Sequence, residues 1–203
     1  PDLGERIQVA LLNVREERDI QVRGYNLRLP LDMLVVASAN PEDYTNRGRI
    51  ITPLKDRFGA EIRTHYPLDL NLEIQLLEQE ADIHAVIPRH LLDTVARFAR
   101  GVRESQAIDQ RSGVSARFSI ACVEELSGAA LRRSAIAGDD EPVARVGDLV
   151  DIVPSLRGKV EFDVSEEGYE EDTLVLLARQ ATADAWRALL GGQQARPFLT
   201  HLV

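Results

Sequence analysis

The chain has 203 residues and a formal net charge of −9, from 24 Lys+Arg against 33 Asp+Glu. With 44% hydrophobic and 28% charged residues the composition is globular, which excludes a disordered chain, and its acidic balance argues against a dedicated nucleic-acid-binding domain. A single cysteine, Cys122, excludes an internal disulfide framework and a cysteine zinc cluster, and apolar runs such as Met33-Leu34-Val35-Val36-Ala37 are far too short to cross a bilayer.

In chain order, Leu3, Ile7, Ala10, Leu11 and Val14 fall on one helical stripe. A hairpin pattern follows: Ile20 and Val22 alternate with polar neighbours, as do Leu27 and Leu29, around Gly24 and Asn26, which tolerate the positive φ of a tight turn. The run 33–37, bounded by Pro30 and Pro41, lacks period two and predicts a strand buried on both faces of a parallel sheet. Residues 41–52 predict a polar loop, Pro53 opens a short helix through Phe58, and 61–66 predicts a short strand ended by Pro67. Helical periodicity then takes over. Leu70, Ile74, Leu77 and Ala81 make one stripe, and Leu91, Val95, Phe98 and Val102 another, behind Pro88 at a helix start. Ser115 predicts the cap of a long helix running to about Ala137, with Ile120, Val123 and Ala130 inward. Val146, Leu149, Val150 and Val153 form a short stripe. A last helix spans roughly 170–190, with Leu174, Ala178, Ala181 and Ala185 inward and Gly191-Gly192 at its end; Trp186 reads as a core residue. The predicted fold class is α/β in the first third and all-α in the rest, with the boundary between Pro67 and Ala81.

Three stretches are candidates for chemistry. In Ser38-Ala39-Asn40-Pro41-Glu42 a buried strand runs out into a polar residue, where the ligand crevice of open α/β sheets lies. Asn40 is placed there to hold a water or a phosphate oxygen; an Asn-Pro turn is the plainer reading. In Leu54-Lys55-Asp56-Arg57-Phe58-Gly59, Arg57 carries a fixed charge whose paired donors match phosphate oxygens, against the plainer reading of an Asp-Arg surface pair. In Gly113-Val114-Ser115-Ala116-Arg117, a cation in the first helical turn opposes the helix dipole, which points to an anion held outside the helix; a solvated arginine is the commoner case. His65, His84, His90 and His201 lack any ligand spacing, so no metal site is predicted. Arg15, Arg18, Arg23 and Arg28 make the hairpin region basic, offset by Glu16, Glu17 and Asp19, and this favours a solvated or subunit-facing hairpin. Residues 166–172 predict a solvated loop and an acidic helix start.

As an ordered set, the three stretches resemble the C-terminal part of an AAA+ ATPase module, in the magnesium chelatase subunit I and MoxR-like clade. Pro1-Asp2-Leu3 with Arg6-Ile7-Gln8-Val9-Ala10-Leu11-Leu12-Asn13 resembles the helix after the Walker B acid, and the hairpin resembles the insertion before the sensor 1 strand. The resemblance spans residues 1 to about 160 and is specific as an ordered set rather than motif by motif. It implies a partial P-loop NTPase core over 1–67 (parallel-sheet strands with helices), a helical lid over 68–141 and a mostly helical extension over 142–203. By position, it implies that Asn40 is sensor 1, Arg57 an arginine finger acting on ATP of the adjacent subunit, and Arg117 sensor 2 on the nucleotide phosphates. Arg47 and Arg49 lie close to the finger in sequence and are candidates for the same interface.

The implied function is ATP hydrolysis coupled to remodelling of a partner protein, in a cytoplasmic, self-associating hexameric ring with a von Willebrand A-domain protein as partner. No membrane or nucleic-acid partner is implied, and no signal peptide is visible. The cofactors implied are ATP and Mg²⁺, yet the G-x-x-x-x-G-K-S/T phosphate loop is absent from these residues, as are the paired acids that end a Walker B strand. With Pro1 at the start and Met33 as sole methionine, the chain reads as a piece of a longer protein that hydrolyses ATP, inactive by itself. In that family the P-loop strand lies between the sensor 1 strand and the last strand. The segments 33–38 and 61–66 are then expected to face a gap, leaving the first 67 residues marginal alone while the helical part folds. Two other classes are open: a sigma-54-type AAA+ transcription regulator, and a non-hydrolytic helical interaction domain.

Overall fold

The computed structural model describes residues 7–9, 11, 19–22, 25–28, 34–38, 52–110 and 112–191. The chain divides into two compact units, Pro1–Thr64 and His65–Val203.

In the first unit, residues 7–9 and 11 are helical, but Ile7 and Leu11 of the predicted apolar stripe are 52% and 37% exposed. Strands β1 (Asp19–Val22) and β2 (Tyr25–Arg28) form the predicted hairpin, antiparallel, with Ile20 opposite Leu27 and Val22 opposite Tyr25. Helix α1 (Thr52–Lys55) carries Pro53 in its first turn, where a missing N–H costs nothing.

The predicted parallel sheet is not there, and this corrects the α/β assignment. Among the described residues, β1 and β2 are the only strands, and their pairing is antiparallel. Residues 34–38 belong to no strand and lie exposed, Leu34 at 92% and Val36 at 84%; Ile62, in the other predicted strand, is 89% exposed. The physical reason lies in the backbone. A strand buried on both faces satisfies its N–H and C=O groups only through neighbouring strands, and it needs helices over each face. The described part of the chain supplies neither, so an apolar run has no structure to enter. The described molecule is mostly helical.

The second unit shows why helices succeed where those strands do not. Helices α2 (Leu70–Glu80), α3 (Arg89–Glu104), α4 (Ala116–Ala137), α5 (Asp148–Asp151), α6 (Val153–Leu156) and α7 (Glu170–Leu190) satisfy their backbones internally and bury one stripe each. Helix α3 is the centre, with Leu91, Val95, Ala96, Ala99 and Val102 fully buried. Helix α7 runs along it through Leu174, Ala178 and Ala181, the two alanines being small enough to let the axes approach; α2 and α4 pack on it as well. The Phe98 and Phe118 rings meet at 5.5 Å and 57°, in the tilted range that aromatic quadrupoles favour. The segments predicted as lid and C-terminal extension share this one core, which runs from Ile74 to Ala181.

The helix ends follow local rules. Asp69 accepts from the Leu72 N–H at 2.9 Å and caps α2. Ser115 caps α4, accepting from the Arg117 N–H at 3.1 Å. Gly138, at φ 73°, ends α4 in the left-handed conformation that glycine adopts without strain. Helix α7 ends at Gly191, and Glu170, Glu171 and Asp172 occupy its first turn, complementing the dipole. Two isolated bridges, Val86 with Val143 and Ile108 with Phe162, tie the connecting loops to each other.

Buried charge is paired. Glu73 of α2 is wholly buried and receives both terminal guanidinium nitrogens of Arg103 of α3 at 2.8 Å each. Asp148, 3% exposed, accepts from Arg133 Nε at 2.9 Å, from Arg133 Nη2 at 3.0 Å and from the Arg145 N–H at 2.7 Å. The same arginine donates to the Val143 carbonyl, which fixes the α4–α5 connection. Trp186 departs from its prediction as a core residue. It is 42% exposed, 6.3 Å from the His90 ring between centroids. An indole at the C-terminal end of α7 lies past the buried stripe, which ends at Ala185.

Candidate functional site

Arg57 belongs to the first unit and Arg117 to the second; Asn40, Arg47 and Arg49 lie outside the described residues. Each arginine is therefore placed by its own local structure.

Helix α1 closes in a turn, with the Asp56 N–H on the Thr52 carbonyl at 3.0 Å and the Arg57 N–H on the Leu54 carbonyl at 3.2 Å. This folds Arg57 back on the helix, and its guanidinium donates to the Pro53 carbonyl at 2.7 Å. The side chain is half-buried, and Leu54, one turn before it, is buried. Around it, Lys55 pairs with Glu61 at 3.1 Å, and Arg63 reaches the same carboxylate at 3.2 Å. The hydrogen bond from Lys55, then the one from Arg63, holds the Glu61 carboxyl below its usual range.

Arg117 stands in the first turn of α4 with an exposed side chain. Its backbone N–H is used by Ser115, and its guanidinium has no hydrogen-bond or ion-pair partner among the described residues. The chain approaches through Gly113 at φ 64°, a backbone conformation that a side chain would strain. The result is a fixed positive charge at the positive end of a 22-residue helix dipole. Among the described residues, no partner offsets that repulsion. An anion there would gain from the guanidinium and from the dipole of the helix start together.

Cys122 is chemically quiet: burial, the largest influence, pushes its thiol far above the ordinary cysteine range. Among the described residues no group of three or more His, Cys, Asp or Glu side chains is placed to hold a metal. No described helix is long and apolar enough to cross a membrane. Sequence reasoning missed the Glu73–Arg103 and Arg133–Asp148 pairs. Their partners lie 30 and 15 residues apart, so no periodicity connects them.

Comparison of the chain with known protein-family models, with curated proteins and with solved structures gives no match.

Proposed function

We propose that these residues are the lid-bearing part of an AAA+ ATPase resembling magnesium chelatase subunit I and the MoxR-like proteins. Its ATP hydrolysis would drive remodelling of a partner protein within a self-associating ring. The observation that carries this reading is Arg117, a cation with no partner among the described residues at the start of a long, serine-capped helix, where positive charge is unfavourable unless an anion is the partner. The order of the three motifs along the chain supports it. A helical lid is the element that the reading requires around Arg117, and 65–191 have a helical core of their own. The proposal places Arg57 at a neighbouring subunit's triphosphate and Asn40 at the attacking water. A von Willebrand A-domain protein is the partner class that the resemblance favours.

The residues present do not themselves fit a Mg²⁺–ATP complex. The phosphate-loop motif is absent from the 203 residues, and no described acidic cluster is placed for a cation. No hydrolytic step is therefore assigned to this chain alone. In the complete gene product, Arg57→Ala should lower ATP turnover by about 10³-fold or more while nucleotide binding persists, as loss of an arginine finger does. Unchanged turnover removes the finger assignment. A gene product that neither binds nor hydrolyses ATP removes the ATPase reading. It would leave a non-hydrolytic helical interaction domain, which the self-contained core of the second unit favours.

A further inference from the structure

The second unit begins with a short strap, residues 65–69, that leads from the unit boundary into α2. Tyr66 of this strap lays its ring over the guanidinium of Arg103, 4.5 Å from carbon to centroid. Beneath the ring lies the Glu73–Arg103 pair, with side chains 0% and 8% exposed, while Tyr66 itself is 46% exposed. Further along, the Leu68 carbonyl receives a long contact of 3.5 Å from Arg100, and Asp69 caps α2. The strap thus lies against the last two turns of α3.

One atom is out of balance. Arg103 Nε is buried and has no hydrogen-bond partner among the described residues, although both terminal nitrogens are used. With the strap shut, the ring gains a cation–π contact and excludes water from the ion pair. The same closure denies Nε–H a hydration that it would have with the strap raised. Two opposing effects of similar size act on one residue of the second unit. We propose that Tyr66 is a latch and that 65–69 is a strap with a shut and a raised position. Shut, it seals the Arg103–Glu73 pair; raised, it lets water reach Nε. The inference is independent of the ATPase reading, because it uses only contacts within the second unit.

The test is the reactivity of Arg103 toward phenylglyoxal in the folded full chain, read by peptide mass spectrometry. Exposed Arg132 and Arg179 serve as internal references. Tyr66→Ala should speed Arg103 modification by roughly threefold to thirtyfold, the range of a cation–π contact. Tyr66→Phe keeps the ring face and should stay near wild type, whereas Tyr66→Leu should behave like Tyr66→Ala. Three outcomes overturn the latch. One is no acceleration in Tyr66→Ala. Another is full protection in Tyr66→Leu, which would make any apolar cover sufficient. The last is a matching rise in the alkylation of buried Cys122 by iodoacetamide, measured in parallel, which would mean that the whole unit opens. If Tyr66→Ala does not fold, the comparison of Phe with Leu carries the test alone.

Discussion

The two units spend similar residues to opposite effect. In the second, Leu77, Val95, Phe98 and Leu174 are at most 2% exposed, and their helices close around one core. In the first, Leu34 and Val36 stand 84% or more exposed, although they belong to the wholly apolar run 33–37. The difference is not hydrophobicity. A helix satisfies its own backbone and needs only a surface on which to lay its stripe. A doubly buried strand needs neighbours before any of its side chains can leave water.

That contrast can be broken by substitution. The largest effect is expected in the core of the second unit. Phe118→Ala should cost about 3–5 kcal/mol of unfolding free energy in a denaturant titration, through lost transfer energy and a cavity beside Phe98. A loss below about 1 kcal/mol would show that the unit packs loosely there.

An effect of intermediate size is expected from acid. Burial is the largest single influence on the Asp148 carboxyl and pushes it up. The Arg133 hydrogen bond, the Arg145 N–H and both guanidinium charges together bring it below its ordinary value. A carboxyl depressed in the folded state stabilises above its unfolded pKa of about 3.9, and that contribution disappears as pH falls through the lower folded value. The stability gap between wild type and Asp148→Asn should be constant from about pH 5 to 7 and narrow below about pH 4. A gap independent of pH down to 2 would mean that the carboxylate charge does not stabilise the α4–α5 connection.

The smallest effect belongs to the first unit. Val36→Ala removes methyl groups that are already in water, so the unfolding free energy of this chain should change by less than about 0.5 kcal/mol. A loss of 2 kcal/mol or more would mean that the 34–38 run is buried in solution, and the contrast between the units would disappear.

How much of this was legible follows the range of each interaction. Ser115 announced the start of α4, Pro88 that of α3 and Gly191 the end of α7, because caps and breakers act within one helical turn. The hairpin was legible for the same reason: its strands are joined through a two-residue gap. Of the candidate site, the motif Gly113-Val114-Ser115-Ala116-Arg117 correctly placed Arg117 in a first helical turn. The return of Arg57 to the Pro53 carbonyl was not legible, since an exposed Asp-Arg pair fits the same letters.

By itself, then, the order of residues decided where the long helices of the second unit begin, most of the stripe that each buries and where they stop, whereas Ile7, Leu11 and Val150 of other predicted stripes lie exposed. Those outcomes depend on neighbours three or four positions away. Tertiary structure alone decided that the run at 34–38 would join no sheet among the described residues, that Trp186 would fall beyond the buried stripe, and that Glu73 would meet Arg103 across 30 residues. Each of those outcomes depends on which distant surface arrives to exclude water, and a one-dimensional pattern carries no distance between residues that are far apart along it.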